Sequence, residues 1–280
     1  MDPSGDRHAV ACREPLRAGA LRTPSLNEYA PAIVQLRQIG KTFSNGTQAL
    51  LNLDMDLRRG EFVSLLGPSG CGKSTALRLI AGLGAPSSGS VTWPEETTAK
   101  LGFVFQEPTL MPWRTVFSNV LLPLQMQGLS KREAAPRIAA ALERVGLGVF
   151  ANSYPRQLSG GMKMRVSIAR ALVTEPNLLL MDEPFAALDE ITRSRLNDDL
   201  LALWTAQQLT IAFVTHSVFE SVFLSSRILV MAARPGRVVA DIPIDAPYPR
   251  DDAFRTSETY NHYCRIVSAA LREAMAAHAD

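Results

Sequence analysis

The sequence predicts an α/β fold with a mainly parallel central sheet, an antiparallel β subdomain and an inserted α-helical subdomain. Three observations predict it. An apolar run, FVSLL, ends at Leu66 and leads straight into Gly67-Pro68-Ser69-Gly70-Cys71-Gly72-Lys73-Ser74-Thr75, with helix-like residues from Ala76 to Ala81 behind it. A second run, Leu178 to Met181, is continuously apolar, as expected of a parallel strand covered on both faces, and it ends in Asp182-Glu183. Strand-like and helix-like segments then alternate.

The nine residues Gly67 to Thr75 fit the phosphate-loop pattern G-x-x-x-x-G-K-[ST] in the strand, loop, helix context that the pattern needs. The glycines let the backbone curl so that successive N–H groups converge, and the helix starting near Gly72 aims its positive end at the same point. Such a cradle holds a triphosphate. Lys73 is expected to reach the β- and γ-phosphates as a point charge, Ser74 to offer a hard oxygen to Mg²⁺, and Thr75 to add a phosphate contact.

Composition is ordinary for a soluble globular protein: 280 residues, 46% apolar and 20% charged, with a net charge of +2. Without a block of Lys and Arg, nothing argues for a nucleic-acid surface. Three widely spaced cysteines, Cys12, Cys71 and Cys264, match no metal pattern and suggest a reducing compartment. No run reaches the 18 to 20 apolar residues, roughly, of a membrane span, and no signal-peptide core is visible, so a soluble cytoplasmic chain is expected.

In order, residues 1–30 mix Pro, Gly, Arg and Ser without period and read as a flexible extension. Short β runs follow from Ile33 and Ala49, with turns at Gly46 and Gly60, and Phe43 lies between the first two. Gly89 to Trp93 and Leu101 to Phe105 read as strands. The section from 107 to 158 is mainly helical: Val116 to Gln127 is apolar at helical spacing, and Ser130 with Glu133 makes a capping box for Lys131 to Val145, where Pro136 predicts a kink or a later start. Ser159 is placed to cap a helix over Lys163 to Val173. A helix over Glu190 to Gln207, a strand over Thr210 to Val214 and a helix capped by Ser217 with Glu220 come next. Strands over Arg227 to Met231 and Arg237 to Ile244 end the domain predicted for 31–245. The segment 246–280 is a Pro-rich loop and an amphipathic helix, Ser257 to Ala276, with a stripe of Tyr260, Tyr263, Val267, Ala270 and Leu271 expected to dock on the domain.

Hydrolysis of a nucleoside triphosphate needs a metal against the β- and γ-oxygens, an in-line water and a group to orient that water. Asp182 and Glu183, at a strand end, can divide the work, Asp182 holding the metal through water and Glu183 polarising the attacking water. Gln106 can touch both metal and water. His216, also at a strand end, can bond the γ-phosphate, although a structural role is as common. Asp189 can be only the N-cap of its helix. Ser159-Gly160-Gly161 is a second small-residue helix start and hence a second anion site, which suggests two half-sites paired across a symmetric dimer.

The ordered set GPSGCGKST, FQEPTLMPW, LSGGM, LLLMDEPFAALD and VTHS resembles the ATP-binding subunit of ABC transporters, from about Ile33 to Pro235. The stretches QEPTLMPWRTVFSNV, DEPFAALDEITR and HSVFESVFLSSRILVMAARPGRV are similar to the nitrate, taurine and sulfonate importer group. The resemblance implies a P-loop NTPase fold, ATP with Mg²⁺, and a role for each matching residue. Phe43 stacks on adenine; Gln106 begins the loop that couples the site to the membrane subunit; Ser159 and Gly161 close on the other subunit's γ-phosphate. Glu183 is the catalytic base, Asp189 lies in the dimer-contact loop and His216 is the γ-phosphate switch. Met162 and Met164 stand where many relatives carry Gln.

The same resemblance implies a homodimer working with transmembrane permease subunits, which dock near Gln106 to Arg114, and an extracytoplasmic solute-binding protein. The chain then sits peripherally on the cytoplasmic face of the inner membrane, with no nucleic-acid partner. An exporter component or a non-transport regulator stays open. A DNA-repair ATPase would need long coiled-coil arms that the sequence lacks, and a small-molecule kinase would leave LSGG without a purpose. Cys71, at a helix N-terminus, is expected to be thiol-reactive and protected by ATP.

Overall fold

The computed structural model describes residues 30–94 and 100–276. The extension expected over Met1 to Tyr29, with Cys12, lies outside them.

Two sheets carry the fold. The first is antiparallel: β1 (Ala32–Thr42) lies between β2 (Gln48–Arg58) and β4 (Ser88–Thr92). Its buried face alternates with an exposed one, as the period-two pattern of the strands requires. The second has six strands in the order β5 (Leu101–Val104), β6 (Leu178–Asp182), β7 (Thr210–Thr215), β3 (Phe62–Leu66), β8 (Arg227–Ala232) and β9 (Arg237–Pro243). Its first five strands run parallel and β9 returns antiparallel. Every residue of β3, β6, β7 and β8 is buried, which is why these strands read as near-continuous apolar runs.

One core joins the inner face of the antiparallel sheet to α1 (Lys73–Ile80) and one side of the parallel sheet through Leu36, Leu53, Leu77 and Leu180. The other core covers the opposite side with α2 (Val116–Met126), α3 (Lys131–Arg144), α4 (Gly160–Leu172), α5 (Glu190–Gln207), α6 (Val218–Leu224) and α8 (Glu258–Ala276). At its centre Phe62 packs on Trp204 and Phe213, with ring centroids 5.8 and 6.0 Å apart. Arg227 bridges three strands, paired with Glu61 beside β3 and with Asp241 on β9.

Several expectations are corrected. Helix α3 starts at Lys131 under a complete Ser130–Glu133 capping box and runs unbroken through Pro136. Pro136 is exposed and close to the helix start, so the one carbonyl it leaves unpaired, on exposed Arg132, is open to water. Helix α4 begins at Gly160, three residues before the apolar periodicity shows it. Strand β5 stops at Val104, and Phe105 instead stacks on Phe103 at 4.4 Å. A four-residue helix, α7 (Asp252–Arg255), precedes α8 and was not legible. In α8 the fully packed stripe is Tyr260, Cys264, Val267 and Ala274, while Tyr263, Ala270 and Leu271 lie at its margin.

Candidate nucleotide site

Sheet register assembles the site before any side chain is considered. Val104 pairs with Met181, Asp182 with Val214, and Thr215 with Leu66. Gln106, Asp182-Glu183, His216 and Gly67 therefore follow neighbouring strands at one carboxyl edge, where open α/β sheets gather ligands.

The phosphate loop is closely fitted. Gly72 is left-handed at φ 89°, and a Cβ there would lie 2.8 Å from the Ala49 carbonyl oxygen. No side chain caps α1, so its first N–H groups and the positive end of the helix are left for an anion. Lys73 is buried, and its Nζ donates to the carbonyls of Gly67 at 2.8 Å and Pro68 at 3.0 Å. The same ammonium lies 3.7 Å from Glu183 Oε1. Ser69 and Gly70 are exposed at the loop's tip, and Thr75 is half-buried in the first turn of α1.

Ser74 Oγ donates to Asp182 Oδ1 at 2.6 Å. Burial pushes the Asp182 carboxyl above the usual carboxylate range, opposed by that hydrogen bond. Among the described residues no group of three or more His, Cys, Asp or Glu is placed to hold a metal. A hydroxyl and one carboxylate side by side suit Mg²⁺, which keeps its waters and takes its other ligands from phosphate. Glu183 occupies the left-handed region at φ 46°, and its other oxygen lies 3.6 Å from His216 Nδ1.

Phe43 is 45% exposed in a tight turn closed by Phe43 N–H to the Thr47 carbonyl, with Lys41 Nζ 5.6 Å from the ring centroid. The start of β2 behind this turn touches the phosphate loop at Gly72. Gln106 is exposed two residues beyond β5. The segment after it is irregular yet stapled. Arg170 donates to the carbonyls of Pro108 and Thr109, and buried Asn119 accepts from the Met111 N–H and donates to the carbonyls of Met111, Arg114 and Thr115.

Ser159 stands at the start of α4. It caps α4 by accepting from the Met162 N–H, with Gly160 exposed and Gly161 packed on Thr192 of α5. The cavity beside the carboxylate is lined by Glu183, Arg193, Thr215, His216 and Glu220 among others. Asp189 caps α5 by accepting from the Thr192 N–H, which holds its carboxyl below the usual range.

Two readings are corrected. Cys71 is fully buried, with its Sγ packed under Gly67, and burial pushes its thiol up rather than down; the helix N-terminus does not expose it. The Glu220 carboxylate does not complete a capping box with Ser217. Ser217 caps α6, but Glu220 Oε2 accepts instead from Thr215 Oγ1 at 2.6 Å. Arg193, 3.8 Å from Glu220, was missed altogether.

The domain model described as ABC transporter matches residues 50–186. An uncharacterized ABC transporter ATP-binding protein of Methanocaldococcus jannaschii is 44% identical over 245 residues, which are 86% of this chain and 91% of that protein. The chain belongs to the ABC transporter ATP-binding proteins. As an ABC ATPase it binds and hydrolyses ATP. The aliphatic sulfonates import ATP-binding protein of Bacillus cereus is 43% identical over 84% of this chain and 94% of its own length. Among solved structures, a dimeric ATP-binding cassette in a post-hydrolysis state, bound to ADP and Pi, superposes with a TM-score of 0.66. It is 35% identical over 76% of this chain and 99% of the cassette.

Proposed function

We propose that two copies of this chain bind two MgATP between them and couple ATP hydrolysis to import of a small solute through a separate permease on the cytoplasmic face of the membrane. What supports this reading is that the chain carries two distinct small-residue helix starts, the uncapped start of α1 and the Ser159-capped start of α4, and is similar to a cassette that is dimeric with ADP and Pi. Lys73 lies in the first, at the carboxyl edge of the sheet, and Ser159, Gly160 and Gly161 form the second at the start of α4. A second copy supplies the missing half of each site.

In each half-site the phosphate loop, residues Gly67 to Thr75, holds the triphosphate, and Phe43 offers its face to the base. Ser74, Asp182 and Gln106 are the residues to hold Mg²⁺, which when bound neutralises charge on the phosphates. Glu183 orients and deprotonates the attacking water; Lys73 and His216 flank its carboxylate and keep it aimed. His216 then reports the γ-phosphate to its own loop, and Asp189 lies on the loop that meets the partner.

No helix among the described residues is long and apolar enough to cross a membrane, so translocation needs a partner that does. The stapled segment from Gln106 to Arg114 presents Trp113, 73% exposed, as the contact for permease subunits. Similarity to sulfonate import proteins favours an organic sulfonate or a related anion as cargo, delivered by an extracytoplasmic solute-binding protein. The test is a mixing experiment. Lys73→Ala and Ser159→Arg subunits are each expected to be inactive, and a mixed dimer to regain about half of the sites. Full activity of either variant alone would overturn the shared site.

A further inference from the structure

We propose that Arg193 and Glu220 form a positioning pair that ties the His216 loop to the loop entering α5, so that both loops shift as one unit during turnover. The inference rests on the reading above of Glu183 and His216 as the hydrolytic groups. Glu220 is buried on α6, and its Oε2 accepts from Thr215 Oγ1 at 2.6 Å; the same hydroxyl oxygen accepts from the Ser217 N–H at 3.0 Å. Of the two residues that flank His216, Thr215 is thus fixed to the carboxylate directly and Ser217 through the Thr215 hydroxyl. Arg193 does the same around Asp189. Its Nη2 donates to the Leu188 carbonyl at 2.8 Å and its Nη1 to Glu190 Oε2 at 3.3 Å.

The carboxylate and the guanidinium meet at 3.8 Å, Glu220 Oε1 to Arg193 Nε, and that Nε is buried without a hydrogen-bond partner. A movement on the order of 1 Å would complete the bond. Burial pushes the Glu220 carboxyl up, against the pull of Thr215 and Arg193, so removing the cation takes away one of the interactions that favour its charged form. The pair also lines the same small cavity as Glu183 and His216. Neither side chain needs to touch nucleotide; each acts by holding a loop that does. Misplacing a catalytic group by about 1 Å can cost on the order of a hundredfold in rate.

The test uses the purified full chain with Glu220→Gln, Arg193→Met, the double variant, Thr215→Val and Thr215→Ser. Steady-state ATPase, equilibrium nucleotide binding and thermal unfolding are measured on each. We expect kcat to fall roughly tenfold or more in either single variant with nucleotide Kd unchanged, and the double variant to be no slower than the worse single. Thr215→Val should reproduce the loss in a chain that keeps both charges, and Thr215→Ser should restore it. Wild-type kcat in folded Glu220→Gln and Thr215→Val, or losses that multiply in the double variant, would overturn the pair while leaving the ATPase reading intact. Undiminished turnover in Glu183→Gln, run alongside, would overturn that reading and the inference with it.

Discussion

Ser74 and Asp182, 108 residues apart, share a 2.6 Å hydrogen bond at the foot of the phosphate loop. In the proposed site the bond would set two oxygens side by side for a metal, and burial disfavours the Asp182 charge. Asp182→Asn keeps an acceptor for Ser74 but removes the charge. Its ATPase should fall about a hundredfold or more, while nucleotide binding measured in EDTA stays within roughly threefold of wild type. Equal loss of binding with and without Mg²⁺ would remove Asp182 from the metal site.

Cys71 should resist thiol reagents in the native chain. Its Sγ is buried beneath Gly67 and its thiol is held protonated, so modification needs local opening of the loop. Labelling of the native protein followed by mass spectrometry should show Cys71 reacting at least tenfold more slowly than in the denatured chain, with or without ATP.

Asn119 organises the segment from Met111 to Thr115 through four hydrogen bonds while fully buried. Asn119→Ala should cost about 2–4 kcal/mol, since it strands buried backbone groups as well as losing its own bonds. Thermal unfolding should drop by several degrees. ATPase of the isolated subunit should change less than twofold, because the segment lies outside the phosphate loop, whereas coupling to a permease in vesicles should be lost.

Tyr248 gives a pH signature. Its ring packs on Trp204 and its hydroxyl donates to the Leu224 carbonyl, and burial, opposed by the Arg250 guanidinium, pushes its pKa up to about 12. An unfolded tyrosine ionises near pH 10. The folded pKa is the higher, so the stabilisation is complete below pH 10 and is lost as pH rises toward 12, by roughly 3 kcal/mol in all. Tyr248→Phe should flatten the alkaline arm of the stability curve, read by urea midpoints at pH 9 to 11.5.

What the sequence disclosed is what local chain geometry determines. Gly67 to Thr75, the strand ending in Asp182-Glu183 and the Ser130–Glu133 box each carry their meaning within a few residues. The alternation of buried runs was enough to anticipate the parallel sheet. Orientation and distant partners stayed hidden. Cys71 sits at a helix start and so looked exposed, yet it points under the loop. Glu220 has capping-box spacing from Ser217, but Thr215 outcompetes the backbone for its carboxylate. Arg193, Arg170 and Asn119 were ordinary polar residues until the fold showed what each one grips. Residues 107–158 illustrate both cases: the helices were readable, the staples between them were not.

Lys73 is already braced by two carbonyls of its own loop, and α1 begins without any side chain across its entrance. A triphosphate that takes Lys73 as a partner must therefore win the same ammonium from two backbone carbonyls, whereas the first N–H groups of α1 have no such competitor. Of the two kinds of donor, the helix start is the one that costs nothing to recruit.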